Sequence, residues 1–118
     1  MSTIATHPQR NTFRLELKRN LILAGMSPSA WEELEPRLEI TESRKGELLV
    51  HQGSHEMEQF FILDGILKRV VANAEGKEMI LRFAAEQDMD TSYAAWRLKT
   101  PVPYSIVAVT KVTVARVG

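Results

Sequence analysis

Residues 45–83 read KGELLVHQGSHEMEQFFILDGILKRVVANAEGKEMILRF, and the spacing of glycine within this stretch decides the fold. Short apolar runs are separated by Lys45-Gly46, Gln52-Gly53, Asp64-Gly65 and Glu75-Gly76, the rhythm of strands joined by turns. ELLVH, QFFILD, ILKRVVAN and KEMILRFA are each strand-length and rich in branched or aromatic side chains, which suit a pleated, half-buried surface. In KEMILRF, Met79, Leu81 and Phe83 alternate with Ile80 and Arg82, a period of two that predicts one face turned inward. Downstream, SIVAVT and VTVARV continue the pattern. The whole has the texture of an all-β barrel or roll.

Upstream the periodicity is different. Residues 1–10 are polar, contain Pro8 and lack a repeat, so a flexible tail is expected there. From Asn11 to about Leu23, Phe13, Leu15, Leu17, Leu21 and Leu23 sit among Arg14, Glu16, Lys18 and Arg19, which predicts a short helix. A second helix starts at a cleaner signal. Ser27 can cap it, Pro28 suits its first position, and Ser29 with Glu32 offers an alternative capping box. Trp31, Leu34 and Leu38 mark its apolar face, the acidic run Glu32-Glu33-Leu34-Glu35 its wet one, and Pro36 ends or bends it.

Composition bounds what such a chain can do. At 118 residues it has the size of one domain. Fifteen basic and fifteen acidic side chains cancel, so the overall charge carries no footprint of a dedicated nucleic-acid binder. Cysteine is absent, which excludes disulfides, thiolate metal sites and a cysteine nucleophile and fits a reducing compartment; a cytoplasmic location is expected. The N-terminus has no signal-peptide core, and no segment approaches the ~20 apolar residues that span a bilayer.

Two helices followed by residues 45–83 resemble the sensor domain of the cyclic nucleotide-binding family, specifically that of Crp/Fnr-type bacterial transcription regulators. The carriers are Lys45-Gly46, His51-Gln52-Gly53, the aromatic strand Phe60-Phe61-Ile62 closing on Asp64-Gly65, and Glu75-Gly76-Lys77-Glu78 with Met79-Ile80-Leu81. The likeness runs from about Leu21 to Val117 and implies a double-stranded β-helix, or jelly roll, with short N-terminal helices and one short helix inserted between strands. It implies one sensor domain over residues 11–118, with a small-molecule ligand inside the roll or a protein partner on it. It further implies a homodimer in a longer protein and DNA contact only through a C-terminal domain that lies outside this chain. No catalysis is expected.

The insert DMDTSYAAWRLKTPVPYS, residues 88–105, falls where the family carries its phosphate-binding cassette. There a short helix N-terminus and an arginine hold the cyclic phosphate, an arrangement that favours anions. This sequence departs from that pattern. Thr91-Ser92 stand in place of Gly-Glu, Tyr104-Ser105 in place of Arg-Ser, so that only Ser105 carries over, and Gln87 replaces a glycine. Asp88 and Asp90 add negative charge beside the helix start. Cyclic AMP is therefore not expected to bind in the usual way, and the cofactor stays unassigned. Candidate ligand residues within the insert are Thr91, Ser92, Arg97, Tyr104 and Ser105. On the central strands they are Arg69, Leu81 and Arg82, with Lys99 a further cation. Alternatively, Tyr93, Trp96 and Leu98 plug the mouth of the roll while Thr91 or Asp90 caps a structural helix.

Two other classes compete. His51, His55 and Glu58, with Gly65 following, echo part of a motif of cupins, metal-dependent enzymes on a similar roll, although no later histidine completes the set. An apolar surface at the end of the roll would instead mark a protein-interaction module.

Overall fold

The computed structural model describes residues 2–19, 25–86 and 88–117. Among these residues, nine strands and three α-helices are arranged as β1 (Ser2–Thr3), α1 (Arg10–Arg19), α2 (Pro28–Leu34), β2 (Leu38–Ser43), β3 (Leu48–Val50), β4 (Gln59–Asp64), β5 (Leu67–Ala72), β6 (Glu78–Ala84), β7 (Met89–Thr91), α3 (Tyr93–Arg97), β8 (Ser105–Ala108) and β9 (Val112–Val117). The strands form two antiparallel sheets in the orders β1-β2-β9-β4-β7 and β3-β8-β5-β6. This is the mainly β jelly roll expected, with short N-terminal helices and one short helix inserted between β7 and β8.

β4 explains how the layers are held. Its run QFFILD is apolar without alternation because both faces are covered. Phe60 and Ile62 enter the core between the sheets with Leu67, Ile106, Val112 and Val114. Phe61 and Leu63 turn outward and join Phe13 and Leu17 of α1, Leu38 and Ile40 of β2, and Ile4. Successive side chains leave a strand on opposite sides, so one strand serves both clusters. Each fully buried side chain of this size contributes about 1.5–3 kcal/mol from loss of water contact.

The turns follow the glycines. Gly65 joins β4 to β5 at φ 98°, where a Cβ would press on the backbone of Lys111 and lie 2.9 Å from Val112 Cα. Only glycine fits there without strain. Ser27 caps α2 by accepting from the Ala30 amide at 3.2 Å, with Pro28 at the first helical position. Pro36 sits in a 3-10 turn, Glu35–Arg37, that ends this helix before Leu38 opens β2.

Some expectations need correction. The first ten residues are not a free tail: Ser2 and Thr3 pair with Ile40 and Glu39, and Ile4 is fully buried. Leu38 belongs to β2, not to the face of α2. The first helix runs Arg10–Arg19, and Leu21 and Leu23, expected to extend it, lie outside the described residues. β6 does not turn one face inward, for Glu78 through Phe83 are exposed on both. Alternation marks the two sides of a strand, but only a neighbouring layer buries one of them, and among the described residues none covers Glu78 through Phe83. Among the described residues no helix is long and apolar enough to cross a membrane.

Candidate functional site

Arg69 on β5 and Asp90 on β7 meet across the roll. The register sets Arg69 opposite Ile106 of β8, a core residue, and Asp90 opposite Phe60 of β4, so both side chains project between the sheets. The Arg69 guanidinium donates to Asp90 Oδ1, and the Asp90 side chain is 1% exposed. Asp90 Oδ1 also accepts from the Thr91 amide at 2.9 Å. The Arg69 guanidinium carbon lies 4.0 Å from the centre of the Tyr104 ring, a cation–π stack, while Arg69 Nε is buried with no partner among the described residues.

Tyr104 closes this group by donating its hydroxyl to the Thr91 carbonyl at 2.6 Å. Burial pushes its pKa above the usual tyrosine value; the Arg69 charge opposes that rise, Asp90 adds to it and Arg82 opposes it. A desolvated phenolate is disfavoured, so the hydroxyl stays a donor.

The start of the insert is held in the same manner. Thr91 Oγ1 donates to the Glu58 carbonyl at 2.8 Å and accepts from the Tyr93 amide at 3.0 Å. Ser92, fully buried, accepts from the Glu58 amide at 2.8 Å and donates to the Glu56 carbonyl at 3.0 Å. Ser105 Oγ accepts from the Gln52 amide at 2.9 Å. The Gln52 side chain in turn clamps Ala72, accepting from its amide at 2.8 Å and donating to its carbonyl at 3.0 Å.

The other candidates lie apart. Arg97 is exposed and donates to the Tyr93 hydroxyl at 3.4 Å, and Lys99 is exposed. Leu81 and Arg82 are exposed on β6, Arg82 in register with Arg69. Nor do Tyr93, Trp96 and Leu98 plug the mouth: they are 42, 49 and 72% exposed. Ala95 and Val102 supply the buried contacts of the insert instead. Neither Asp88 nor Asp90 takes an amide of α3; Asp88 accepts from Ala85, and Gln87 lies outside the described residues.

A second ion pair escaped the sequence analysis. Arg116 on β9 donates to Glu58 Oε2 at 2.6 Å and lies over the Phe60 ring at 5.9 Å, its Nε buried and unpartnered among the described residues. Val112, Val114 and Arg116 share a period of two, so an arginine in line with two core valines was the signal available. Glu58 is thereby engaged, His51 and His55 are exposed, and among the described residues no three His, Cys, Asp or Glu side chains gather to hold a metal.

The fold is a jelly roll with polar side chains meeting between its sheets beside a helix-bearing insert. The family model for the cyclic nucleotide-binding domain matches residues 40–118, and the chain belongs to that family. Its fold is similar to a cAMP-binding regulatory protein from Silicibacter pomeroyi DSS-3, at 20% identity and TM-score 0.78, covering 91% of this chain and 49% of that one. It is similar also to the regulatory subunit of a cAMP-independent protein kinase A from Trypanosoma brucei, at 20% identity and TM-score 0.79, covering 92% and 40%. The N-terminal domain of a transcriptional regulator from Streptomyces coelicolor A3(2) aligns at 19% identity and TM-score 0.68, covering 87% and 73%. The chain thus spans about half or less of the first two. No curated protein matches.

Proposed function

We propose that this chain is the ligand-sensing domain of a Crp/Fnr-type transcription regulator whose phosphate-binding cassette has been rebuilt, so that cyclic AMP is not held by the usual contacts. The observation that carries this is the Arg69–Asp90 ion pair. Arg69, which reaches the start of the insert from the facing sheet, already has an anion, and a cyclic phosphate would have to displace a carboxylate that is itself buried. Losing one charged hydrogen bond costs about 1.5–3 kcal/mol, or one to two decades of affinity. Tyr104, where the family has its cassette arginine, and Ser105, which carries over, are both engaged within the protein.

The chemistry between the sheets favours a ligand without net negative charge. Arg69 and Arg116 are each neutralised by a carboxylate, yet each keeps a buried Nε donor with no partner among the described residues. Buried donors call for acceptors, and an uncharged carbonyl or ring nitrogen supplies one. Thr91, Ser92, Tyr104 and Ser105 then shape the site, with Arg82, in register with Arg69, beside it. A ligand in the roll, or a partner on it, shifts the population between arrangements of insert and roll. In the regulator this reading describes, located in the cytoplasm, that shift reaches DNA through a separate C-terminal domain of a homodimer. We assign the chain no catalysis.

Calorimetry with cyclic AMP and cyclic GMP on the purified chain tests the proposal. Binding no tighter than millimolar is expected, whereas micromolar binding of either nucleotide overturns the rebuilt cassette. Stoichiometric metal by elemental analysis would favour the cupin-like enzyme instead.

A further inference from the structure

Two guanidiniums stand side by side on the β5–β6 ladder. Arg69 is in register with Arg82, and Leu67, two residues earlier, with Ala84; Leu67 and Ala84 both lie in the core between the sheets. Side chains alternate across a strand, so Arg69 and Arg82 share that inner face. The ladder then shifts, leaving Leu81 as the extra residue on β6, and resumes with Val70↔Ile80 and Val71↔Met79. Val71 therefore continues the inner face from Arg69, and Met79 lies opposite it.

The two arginines are unequally served. Arg69 is bound to Asp90 and stacked on Tyr104, whereas the Arg82 guanidinium has no hydrogen-bond or ion-pair partner among the described residues. Its charge still reaches the site: burial raises the Tyr104 pKa, and Arg82 is among the cations that oppose the rise. Like charges opposite each other on a ladder repel, and Arg69 keeps its own buried Nε donor unpartnered among the described residues. The pair thus presents donors in need of acceptors. Beside it the face is apolar and open, with Val71 half-buried and Met79 63% exposed.

We infer that this face takes the carbonyl edge of an uncharged 6-oxopurine, as the free base or its nucleoside, with Arg82 as the contact that reads it; the inference rests on the reading of a ligand without net negative charge. A guanidinium offers N–H donors side by side in one plane. A 6-oxopurine answers with two adjacent acceptors, O6 and N7, the pairing that arginine makes with guanine. Adenine sets a donor amino group beside N7, cytosine offers a donor, and thymine a single acceptor next to a methyl group. Val71 and Met79 give the flat ring an apolar floor, to which the unbranched methionine adapts. Asp90, with its side chain 1% exposed, sets the charge: a phosphate at this end meets a buried carboxylate, and an uncharged base or nucleoside does not.

Calorimetry on the purified chain with inosine, guanosine, hypoxanthine, adenosine and cyclic GMP tests this. Inosine and guanosine bind at micromolar concentration, and adenosine about tenfold or more weaker. Hypoxanthine separates the two sources: affinity equal to that of inosine supports the free base, and weaker affinity supports the nucleoside. Arg82→Met keeps an apolar stem and removes the planar fork, so inosine binding weakens about tenfold or more while adenosine binding is unchanged. Arg82→Lys returns the charge without the fork and does not rescue it. Because Arg82 is exposed, both variants keep the thermal unfolding of the parent. Adenosine bound as tightly as inosine, indifference to Arg82→Met, full rescue by lysine, or no oxopurine binding tighter than millimolar overturns this inference and leaves the rebuilt cassette standing. Micromolar binding of cyclic GMP overturns the rebuilt cassette, and this inference with it.

Discussion

The guanidinium of Arg69, in one sheet, is bonded to the buried carboxylate of Asp90, in the other. The pair joins the sheets beside the insert and balances the charge that an anionic ligand would seek.

Asp90→Asn removes that balance while keeping an acceptor for the Thr91 amide. Stability falls by about 1–3 kcal/mol, because a partly buried guanidinium is left without its counter-charge. Urea denaturation measures the loss. The same variant frees Arg69 for a phosphate, so its affinity for cyclic AMP rises above that of the parent. Calorimetry showing no gain would count against the rebuilt cassette.

Tyr104→Phe loses the hydrogen bond to the Thr91 carbonyl and about 1 kcal/mol of stability. The variant also tests a pH dependence. Tyr104 has a folded-state pKa raised above 10.0, first by burial. The folded state therefore holds this proton more tightly than the unfolded state does. Its contribution is complete below the unfolded value and is lost as pH rises through 10 toward the folded value. Denaturation at pH 9 and pH 11 should show a smaller loss for the variant than for the parent. The chain has two tyrosines, so the difference between the absorbance titrations of the parent and the variant isolates the Tyr104 phenol.

Ser105→Ala separates structure from ligand contact. Ser105 Oγ accepts the Gln52 amide, and its loss leaves a part-buried donor unpaired at a cost of about 1–2 kcal/mol. Nucleotide affinity is expected to stay as weak as in the parent. A drop in affinity larger than the drop in stability would return Ser105 to the ligand.

Gly65→Ala strains the β4–β5 turn twice over, through its φ of 98° and through the Lys111–Val112 backbone that the new Cβ would meet. A destabilisation of about 2 kcal/mol or more is expected. A change under half that size in thermal or urea unfolding would mean that the neighbouring β8–β9 turn yields.

Much of this architecture could be read before any coordinate. Gly65 and Gly76 mark turns because few side chains tolerate their backbone, and Ser27-Pro28 marks a helix start because cap and ring each suit one position. Six strand runs between Leu48 and Val117 were legible for a similar reason, since branched and aromatic residues fit a pleat wherever it lies, whereas β7, Met89–Thr91, fell inside the stretch read as the helix-bearing insert. β2 was missed because LEITES follows a helix whose apolar face extrapolates onto Leu38, and that residue packs in a sheet only because β9 lies beside it. Within the site, Thr91, Ser92, Tyr104 and Ser105 were named from the family resemblance, yet Glu56, Glu58, Gln52 and the Thr91 carbonyl were not read as their partners.

What the order of residues determined by itself was local: where strands begin and turn, where a helix is capped, and that Tyr104-Ser105 stand where β8 begins. Which side of a strand is covered is not local. Ile4 is buried and Phe83 exposed, against the expectation for both, because burial depends on whether another layer arrives. Arg69 finds Asp90 across 21 positions of sequence only once the two sheets close on each other. Spacing along a chain sets the phase of its side chains; the company they keep is decided by packing between distant segments.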